Sequence, residues 1–210
     1  MTAPLAHRSL EQLLAEIRAC RICMEEPLGR PLPHEPRPVI RAGASARLLI
    51  ASQAPGTRVH ATGIPFNDPS GDRLRDWMGV DRETFYDETK IAIVPMGFCF
   101  PGLDDAGGDL PPRRECARRW HGELFPRLHR IEFVLAIGQY AQAWHLGSDR
   151  RRSMTETVQA WRSYCHPDRV PQVLPLPHPS WRNNAWLKRN PWFEAEVLPF
   201  LRRRVQETIG

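Results

Sequence analysis

Four short apolar runs, each long enough for one buried strand, recur along the chain between stretches of helical pattern. They lack the polar alternation of a half-buried strand, which is typical of strands covered on both faces. The runs span residues 47–51, 90–94, 131–137 and 172–176. Strands that alternate with helices form parallel sheets, because each return crossing is made by a helix. The sequence therefore predicts an α/β fold, a three-layer α/β/α sandwich around a central, mostly parallel four-stranded sheet.

Helix signals lie between these runs. Ser9 and Gln12 form a capping box before apolar residues at helical spacing. Another helix is expected to start at Ser70 or Gly71 and to stop at Gly79. Further helices are expected over residues 113–128, 140–145 and 192–207. The proline-rich residues 27–41 predict an extended surface connection.

Length and composition narrow the classes of protein. With 210 residues, the chain predicts one domain over residues 1–210. No apolar run is long enough to span a bilayer, and the first residues lack the apolar core of a signal peptide. We therefore expect a cytoplasmic monomer without a membrane partner. The formal charge of +5 is compatible with a polyanionic partner such as DNA.

Two turns that follow predicted strands carry polar and aromatic side chains. The first begins at Gln53 and continues to Phe66 and Asp68, and the second carries His178. In open α/β sheets, residues that handle ligands collect on loops beyond the carboxyl ends of strands. An acid, an aromatic ring and a histidine on two such loops could enclose a planar ligand.

The motifs on these turns resemble those of the uracil-DNA glycosylase superfamily, and most closely its iron–sulfur branches. Those branches carry Gly-Glu-Ala-Pro-Gly, then Thr-Gly-x-Pro-Phe, and later His-Pro-Ser. This chain has Gln53-Ala-Pro-Gly56, Thr62-Gly-Ile-Pro-Phe66 and His178-Pro-Ser180 in the same order. The resemblance implies a monofunctional DNA glycosylase that flips uracil, or another deaminated base, out of DNA. It would hydrolyse the N-glycosidic bond and leave an abasic site.

The cysteines extend the resemblance. Without a secretory signal, five cysteines argue against disulfides. The iron–sulfur branches place a Cys-x-x-Cys after an N-terminal helix, a third cysteine after the second strand and a fourth on the next helix. Cys20, Cys23, Cys99 and Cys116 match these positions, which implies a structural [4Fe-4S] cluster. A zinc site and buried thiols without metal remain alternatives, and Cys165 has no partner in this scheme.

The resemblance also assigns roles in base removal. His178 would donate a hydrogen bond to a carbonyl oxygen of the departing base, and Phe66 would stack on that base. The close branch has Glu where this chain has Gln53, which leaves Gln53 to position water or base. In a sister branch the acid lies in Phe-Thr-Gly-Asp-x-Ser-Gly-Asp and aligns with Asp68. An anion there would stabilise the cationic sugar, with His60 as a reserve contact to water or phosphate.

Base and DNA contacts complete the predicted site. The remaining positions expected to contact the base are Ala54, Gly56, Asn67, Pro95 and Phe98. The family usually reads uracil with an Asn on the second strand, whereas this chain has no amide over residues 93–96. The loop after His178 would enter the DNA and fill the gap left by the base. Its expected DNA contacts are Ser180, Trp181, Arg182, Asn183, Lys188 and Arg189.

A second class of function fits the two departures from the family pattern. Because Gln53 replaces the Glu and the reading Asn is missing, the chain could bind DNA lesions without hydrolysing them. Uracil as the substrate follows from the resemblance alone, so hypoxanthine and xanthine in DNA remain alternatives.

Overall fold

Four parallel strands form the centre of the computed structural model, which describes residues 8–210. The strands are β1 Leu48–Ser52, β2 Ile91–Pro95, β3 Phe133–Ile137 and β4 Gln172–Leu176. They are ordered β2-β1-β3-β4, and each adjacent pair is parallel. The expected α/β sandwich is confirmed, and each observed strand overlaps its predicted run.

The strand order places a topological switch point at β1. Leu48 pairs with Ile91 of β2 on one side and with Phe133 of β3 on the other. The chain passes from β1 to β2 on one side and then crosses back to β3 on the other, and this reversal opens a crevice at the carboxyl ends of the strands. The backbone pairing continues past β1, since the Gly97 N–H donates to the Gln53 carbonyl at 2.9 Å. This bond fixes the start of the turn that carries the first motif.

Alternate strand residues supply two separate cores, one on each face of the sheet. Leu49 and Ala51 of β1 face the core that contains α1 and the cysteines other than Cys165. Leu48 and Ile50 face the opposite core. Because residues on both faces are buried, the strands carry continuous apolar sequence rather than an alternating pattern.

The helices cover both faces. The α-helices are α1 Leu10–Arg18, α2 Ile22–Glu25, α3 Thr57–Thr62, α4 Pro69–Met78, α5 Arg82–Tyr86, α6 Arg114–Cys116, α7 Gly122–Leu124, α8 Gly138–Leu146, α9 Met154–Gln159, α10 Trp161–Tyr164, α11 Asn184–Arg189 and α12 Leu198–Ile209. π-Helical turns span Ala117–His121 and Phe193–Val197, and 3₁₀ turns span Phe125–Arg127, Gly147–Asp149 and Trp181–Asn183. The helix expected over residues 113–128 is thus a succession of α, π and 3₁₀ turns.

Local signals explain which helices the sequence predicts. The capping box at Ser9 is present, with Gln12 N–H donating to the serine hydroxyl at 3.2 Å. Helix α4 ends at Gly79, whose left-handed conformation closes the last turn. Helices α3, α5, α9, α10 and α11 are four to six residues long, too short to show an apolar period. They were not predicted for that reason.

The proline-rich connection is not confined to the surface. Leu32, Val39 and Ile40 are buried, and the Val39 N–H donates to the Phe98 carbonyl at 2.7 Å. Arg41 forms a single antiparallel bridge with Ile93. The segment therefore covers the open edge of β2, which composition alone does not reveal.

Within residues 8–210, no helix combines the length and the apolar character that crossing a membrane requires.

Candidate active site

A cavity of about 710 Å³ opens at the carboxyl end of the sheet. Its volume is in the range of pockets that bind small organic ligands, about 300–1,000 Å³. Its walls come from the turn after β1, the start of α4, the end of β2, the loop over residues 104–109 and the loop after β4. Of the predicted site residues, those that line it are Gln53, Ala54, Gly56, Phe66, Asp68, Pro95, His178, Ser180, Trp181 and Arg182.

Phe66 has an unusual backbone conformation at the base of this cavity. Its φ is 54°, in the left-handed region that bulky residues rarely adopt. The Tyr86 hydroxyl donates to the Pro65 carbonyl at 2.7 Å, and the buried Arg75 reaches the Phe66 carbonyl at 3.5 Å. A Cβ on Gly71 would overlap that same carbonyl, so only glycine fits there. These contacts hold the ring against the cavity.

Asp68 begins α4 and also lines the cavity. Its Oδ1 accepts a hydrogen bond from the Gly71 N–H at 2.9 Å, which makes Asp68 the N-cap of the helix. Pro69 follows at the first helical position, where its missing N–H costs nothing. The positive end of the helix dipole favours a negative charge here. Asp68 therefore acts as the helix cap that the turn sequence predicts and also places a carboxylate at the cavity.

The loop after β4 is tied to α4. The Asn183 side-chain amide donates to the His178 carbonyl at 2.7 Å. From α4, Arg73 donates to the Ser180 carbonyl at 3.1 Å and to the Asn184 side chain at 2.9 Å. These bonds hold the histidine loop in position relative to the helix that Asp68 caps.

Burial lowers the pKa of His178, although the negative charges of Asp68 and Asp109 act in the opposite direction. The nearby Arg182 guanidinium lowers this pKa further. The lowered pKa favours the neutral form of the imidazole. A neutral ring can still donate one hydrogen bond to a ligand.

Two carboxylates that the sequence did not predict, Asp104 and Asp109, also line the cavity. They lie on a loop over residues 103–109, closed by a backbone bridge between Leu103 and Asp109 and called here the acidic loop. Its sequence, Asp104-Asp-Ala-Gly-Gly-Asp109, has the composition of an ordinary surface turn. Only the path of the chain from β2 to α6 brings it over the motif loops.

Three residues predicted to contact base or water lie outside the cavity. His60 packs against His34 and Phe100, with ring centroids 4.1 Å and 5.8 Å away. Asn67 accepts a hydrogen bond from Arg82 at 3.0 Å on the surface. Phe98 is buried and does not line the cavity.

The predicted DNA contacts divide into two sets. Trp181 and Arg182 stand at the cavity mouth, with the tryptophan 72% exposed and the guanidinium 5.7 Å from the indole centroid. Asn183 lies outside the cavity lining and supports His178, as described above. Lys188 and Arg189 are exposed on α11, away from the cavity lining. The second pair can therefore contact only DNA that extends beyond the cavity.

Cys20, Cys23, Cys99 and Cys116, called here the cysteine group, lie in the core that contains α1, where Cys23 contacts Cys116 and Cys99 lies near Cys20 and Cys23. Cys20 is partly buried and the other three are buried. Cys165 belongs to the opposite core, where its thiol donates to the Val173 carbonyl at 3.5 Å. Chain segments more than 90 residues apart are thus brought into one core.

Each sulfur of the cysteine group has a nitrogen donor beside it. The Trp120 indole N–H donates to the Cys20 sulfur at 3.3 Å. Burial raises the pKa of Cys99 to about 12, and hydrogen bonding from the Arg37 backbone partly opposes this rise. The pKa of Cys23 is lowered by its contact with Cys116 and further by the Arg113 guanidinium.

The pKa of Cys116 shifts in the opposite direction from that of Cys23. Its contact with Cys23 and its burial raise the pKa of Cys116, while a hydrogen bond from the Phe98 backbone opposes them. Within residues 8–210, no three Cys, His, Asp or Glu side chains are arranged to hold a single metal ion. The arrangement thus supplies four thiols and four donors without a preformed site for one ion.

These features define an α/β protein whose binding cavity lies at the carboxyl ends of parallel strands, with an imidazole, carboxylates and an aromatic ring facing one space. A family model described as "Uracil DNA glycosylase superfamily" matches residues 41–202, well over half of the chain. The chain belongs to this superfamily of DNA glycosylases. The matched region includes every strand and every cavity-lining residue except Val39.

Proposed function

We propose that this protein removes uracil, or a related deaminated base, from DNA by hydrolysing the N-glycosidic bond. The observation that carries the proposal is that Phe66, Asp68 and His178 line one cavity although they come from separate turns. Breaking this bond leaves negative charge on the base and positive charge on the sugar. A site for the reaction must therefore offer a hydrogen-bond donor and an anion on opposite sides of the bond.

His178 and Asp68 fit these two tasks. The neutral imidazole would donate to a carbonyl oxygen of the base as negative charge develops there. Asp68, held at the N-terminus of α4, would stay close to the sugar and stabilise its positive charge. No pocket lysine lines the cavity within residues 8–210, which supports simple hydrolysis over a Schiff-base mechanism.

Gln53 is the best candidate for reading the base. Among the described residues that line the cavity, it has the only side-chain amide. A carboxamide can donate to one edge atom of a base and accept from the neighbouring one. Asn67 and Asn183 are engaged elsewhere, by Arg82 and by the His178 carbonyl. We therefore assign base reading to Gln53 together with the backbone near Pro95, and base stacking to Phe66.

The cavity mouth supports a role on DNA rather than on a free nucleoside. The exposed Trp181 beside the cavity could fill the space that a flipped base vacates. Arg182, next to it, could bind a neighbouring phosphate. Lys188 and Arg189 would contact the backbone farther along the DNA.

The cysteine group fits a [4Fe-4S] cluster. Four thiols converge, and the donors beside them are the hydrogen-bonding groups that tune such clusters. Zinc held by the same thiols, or buried thiols without metal, are the alternatives, since the described residues form no group preformed around a single ion. The cluster would hold the Cys20–Cys23 turn against the loop that carries Cys99, outside the reaction itself. Brown colour and about four iron atoms per chain in anaerobically purified protein would support it, whereas stoichiometric zinc or no metal would contradict it.

The main alternative is a protein that binds damaged DNA without cutting the glycosidic bond. The turn at Gln53 carries no acid, which favours this reading. An assay of oligonucleotides with uracil, hypoxanthine or xanthine, in single and double strands, followed by alkaline cleavage at abasic sites, separates the two. Cleavage by the wild type that is lost in Asp68→Asn and His178→Ala supports the glycosylase. Tight binding without cleavage contradicts it.

A further inference from the structure

The Asp109 carboxylate lines the cavity and stabilises no turn or helix by a hydrogen bond among the described residues. The other acid of the acidic loop, Asp104, holds the turn together by accepting from the Gly108 N–H at 2.7 Å and the Ala106 N–H at 3.0 Å. Burial and neighbouring charges shift the pKa of Asp109, but within residues 8–210 its carboxylate accepts no hydrogen bond. Its lone pairs are therefore free for a ligand or a water molecule.

The position of Asp109 is opposite the first motif turn. Its Oδ2 lies 3.5 Å from the point where a Cβ on Gly56 would be. The same cavity contains Asp68 and His178, and charge from both reaches Asp109. A water molecule in the space between the acidic loop and the motif turn would thus touch Asp109.

The two cavity carboxylates have different surroundings. One oxygen of Asp68 already accepts a hydrogen bond from the Gly71 N–H at the N-terminus of α4, whereas Asp109 accepts none among the described residues. Although Asp109 is an exposed residue overall, partial burial of its carboxylate raises its pKa, and this outweighs the opposing effects of Arg182 and His178. A raised pKa makes a carboxylate a better proton acceptor near neutral pH. The surroundings therefore favour charge stabilisation by Asp68 and proton transfer by Asp109.

We propose that Asp109 is the catalytic base, which takes a proton from the water that attacks the sugar. This inference rests on the proposed function and assigns the water-activating group within it. As the water oxygen bonds to C1′, the C1′–N bond breaks and its electron pair leaves with the base. The water proton passes to Asp109, and His178 hydrogen-bonds the departing base anion. Solvent then protonates the base and takes the proton from Asp109.

The test is single-turnover cleavage of a uracil-containing oligonucleotide by the wild type, Asp109→Asn and Asp105→Asn. Asp105 is a matched control because it is exposed on the same loop and does not line the cavity. Loss of a general base slows the chemical step by about 10²–10⁴-fold, so we expect this of Asp109→Asn and a near-normal rate from the control. Binding to a non-cleavable 2′-fluoro-arabino-uridine oligonucleotide should stay within about twofold of wild type, because base and DNA contacts are intact.

Two further readouts separate proton transfer from positioning. Formate should partly restore cleavage by Asp109→Ala, since a small carboxylate can enter the vacated space. The wild-type rate should fall as pH decreases through the raised pKa of Asp109, and this acid limb should vanish in Asp109→Asn. The groups facing Asp109 that shape this limb are Arg182, His178, Asp68 and Asp104.

Each failure has its own signature. If the wild type cleaves and Asp109→Asn keeps more than about a third of the rate, Asp109 is not the base, while the proposed function still stands. An Asp109→Ala variant that formate does not rescue, with binding lost in parallel, also overturns it. If the wild type cleaves no deaminated base in any strand context, the proposed function fails and the role of Asp109 fails with it.

Discussion

The cavity and the cysteine group both gather reactive side chains from distant segments, but they surround them differently. In the cysteine group, every sulfur has a nitrogen donor beside it, and three of the four thiols are buried. In the cavity, His178 and Asp109 keep free hydrogen-bonding capacity and reach solvent. Saturated groups suit a structural role, whereas groups with free capacity suit a ligand that arrives and leaves.

Within residues 8–210, backbone strain is also found in the cavity and not in the cysteine group. Phe66 in the cavity holds a left-handed conformation, which costs of order 1–3 kcal/mol and persists only where neighbours enforce it. Such strain is concentrated at functional sites. Among the described residues, Phe66 is the only non-glycine residue with positive φ, and none lies in the cysteine group.

The largest effect is expected from a change in the cysteine group, and it tests the proposed structural cluster. Cys99→Ala should lower the free energy of unfolding by roughly 4 kcal/mol or more, because loss of one ligand would release the cluster. Cys165→Ala is the matched control, since burial also raises the pKa of Cys165 to about 12. It should cost about 1 kcal/mol. Denaturant unfolding and iron content measure both variants, and equal losses without any change in iron would contradict the cluster.

Next in size is the loss of the imidazole from the cavity. His178→Ala should reduce kcat by about 10²–10³-fold, because a donor to the developing base anion is removed. The free energy of unfolding should change little, since the ring lines the cavity rather than filling the core. His166→Ala, at an exposed position outside the cavity, should retain activity. A His178→Ala enzyme with normal kcat would remove the imidazole from the mechanism.

A smaller effect is expected from Gly71→Ala, which tests whether the Phe66 conformation matters. The added Cβ would lie 2.6 Å from the Phe66 carbonyl carbon, so the turn must shift. We expect a loss of about 1–3 kcal/mol in the free energy of unfolding, with weaker substrate binding. Gly29→Ala, where a Cβ meets nothing within 4 Å, is the control. Unchanged stability and KM in Gly71→Ala would show that the strained turn is adaptable.

The smallest effect concerns the link between the two motif loops. Arg73→Ala removes the bonds to Ser180 and Asn184, each of which contributes about 0.5–1.5 kcal/mol. Because both bonds fix the histidine loop, we expect a kcat/KM lower by about 3–30-fold and a melting temperature lower by several degrees. Arg18→Ala at the exposed end of α1 should behave like wild type in the same kinetic assay. An equal loss in both variants would point to general charge effects on DNA binding.

Sequence alone determined the strands and the motif turns, because these depend on local pattern. Continuous apolar runs report burial on both sheet faces, and β4 was predicted with its observed bounds. The Asp68 turn was visible as turn chemistry, and its helix was visible from the glycine at its end. The resemblance grouped Cys20, Cys23, Cys99 and Cys116, and these four lie in one core while Cys165 lies in the other.

Only the tertiary structure decided which side chains share the cavity. Asp109 lies in a loop of ordinary turn composition, and the chain path alone places it above Gly56. His60 is close in sequence to the first motif turn, yet aromatic packing with His34 holds it elsewhere. Local patterns follow from forces between neighbours along the chain, whereas the membership of a site depends on distances between segments that the fold alone brings together.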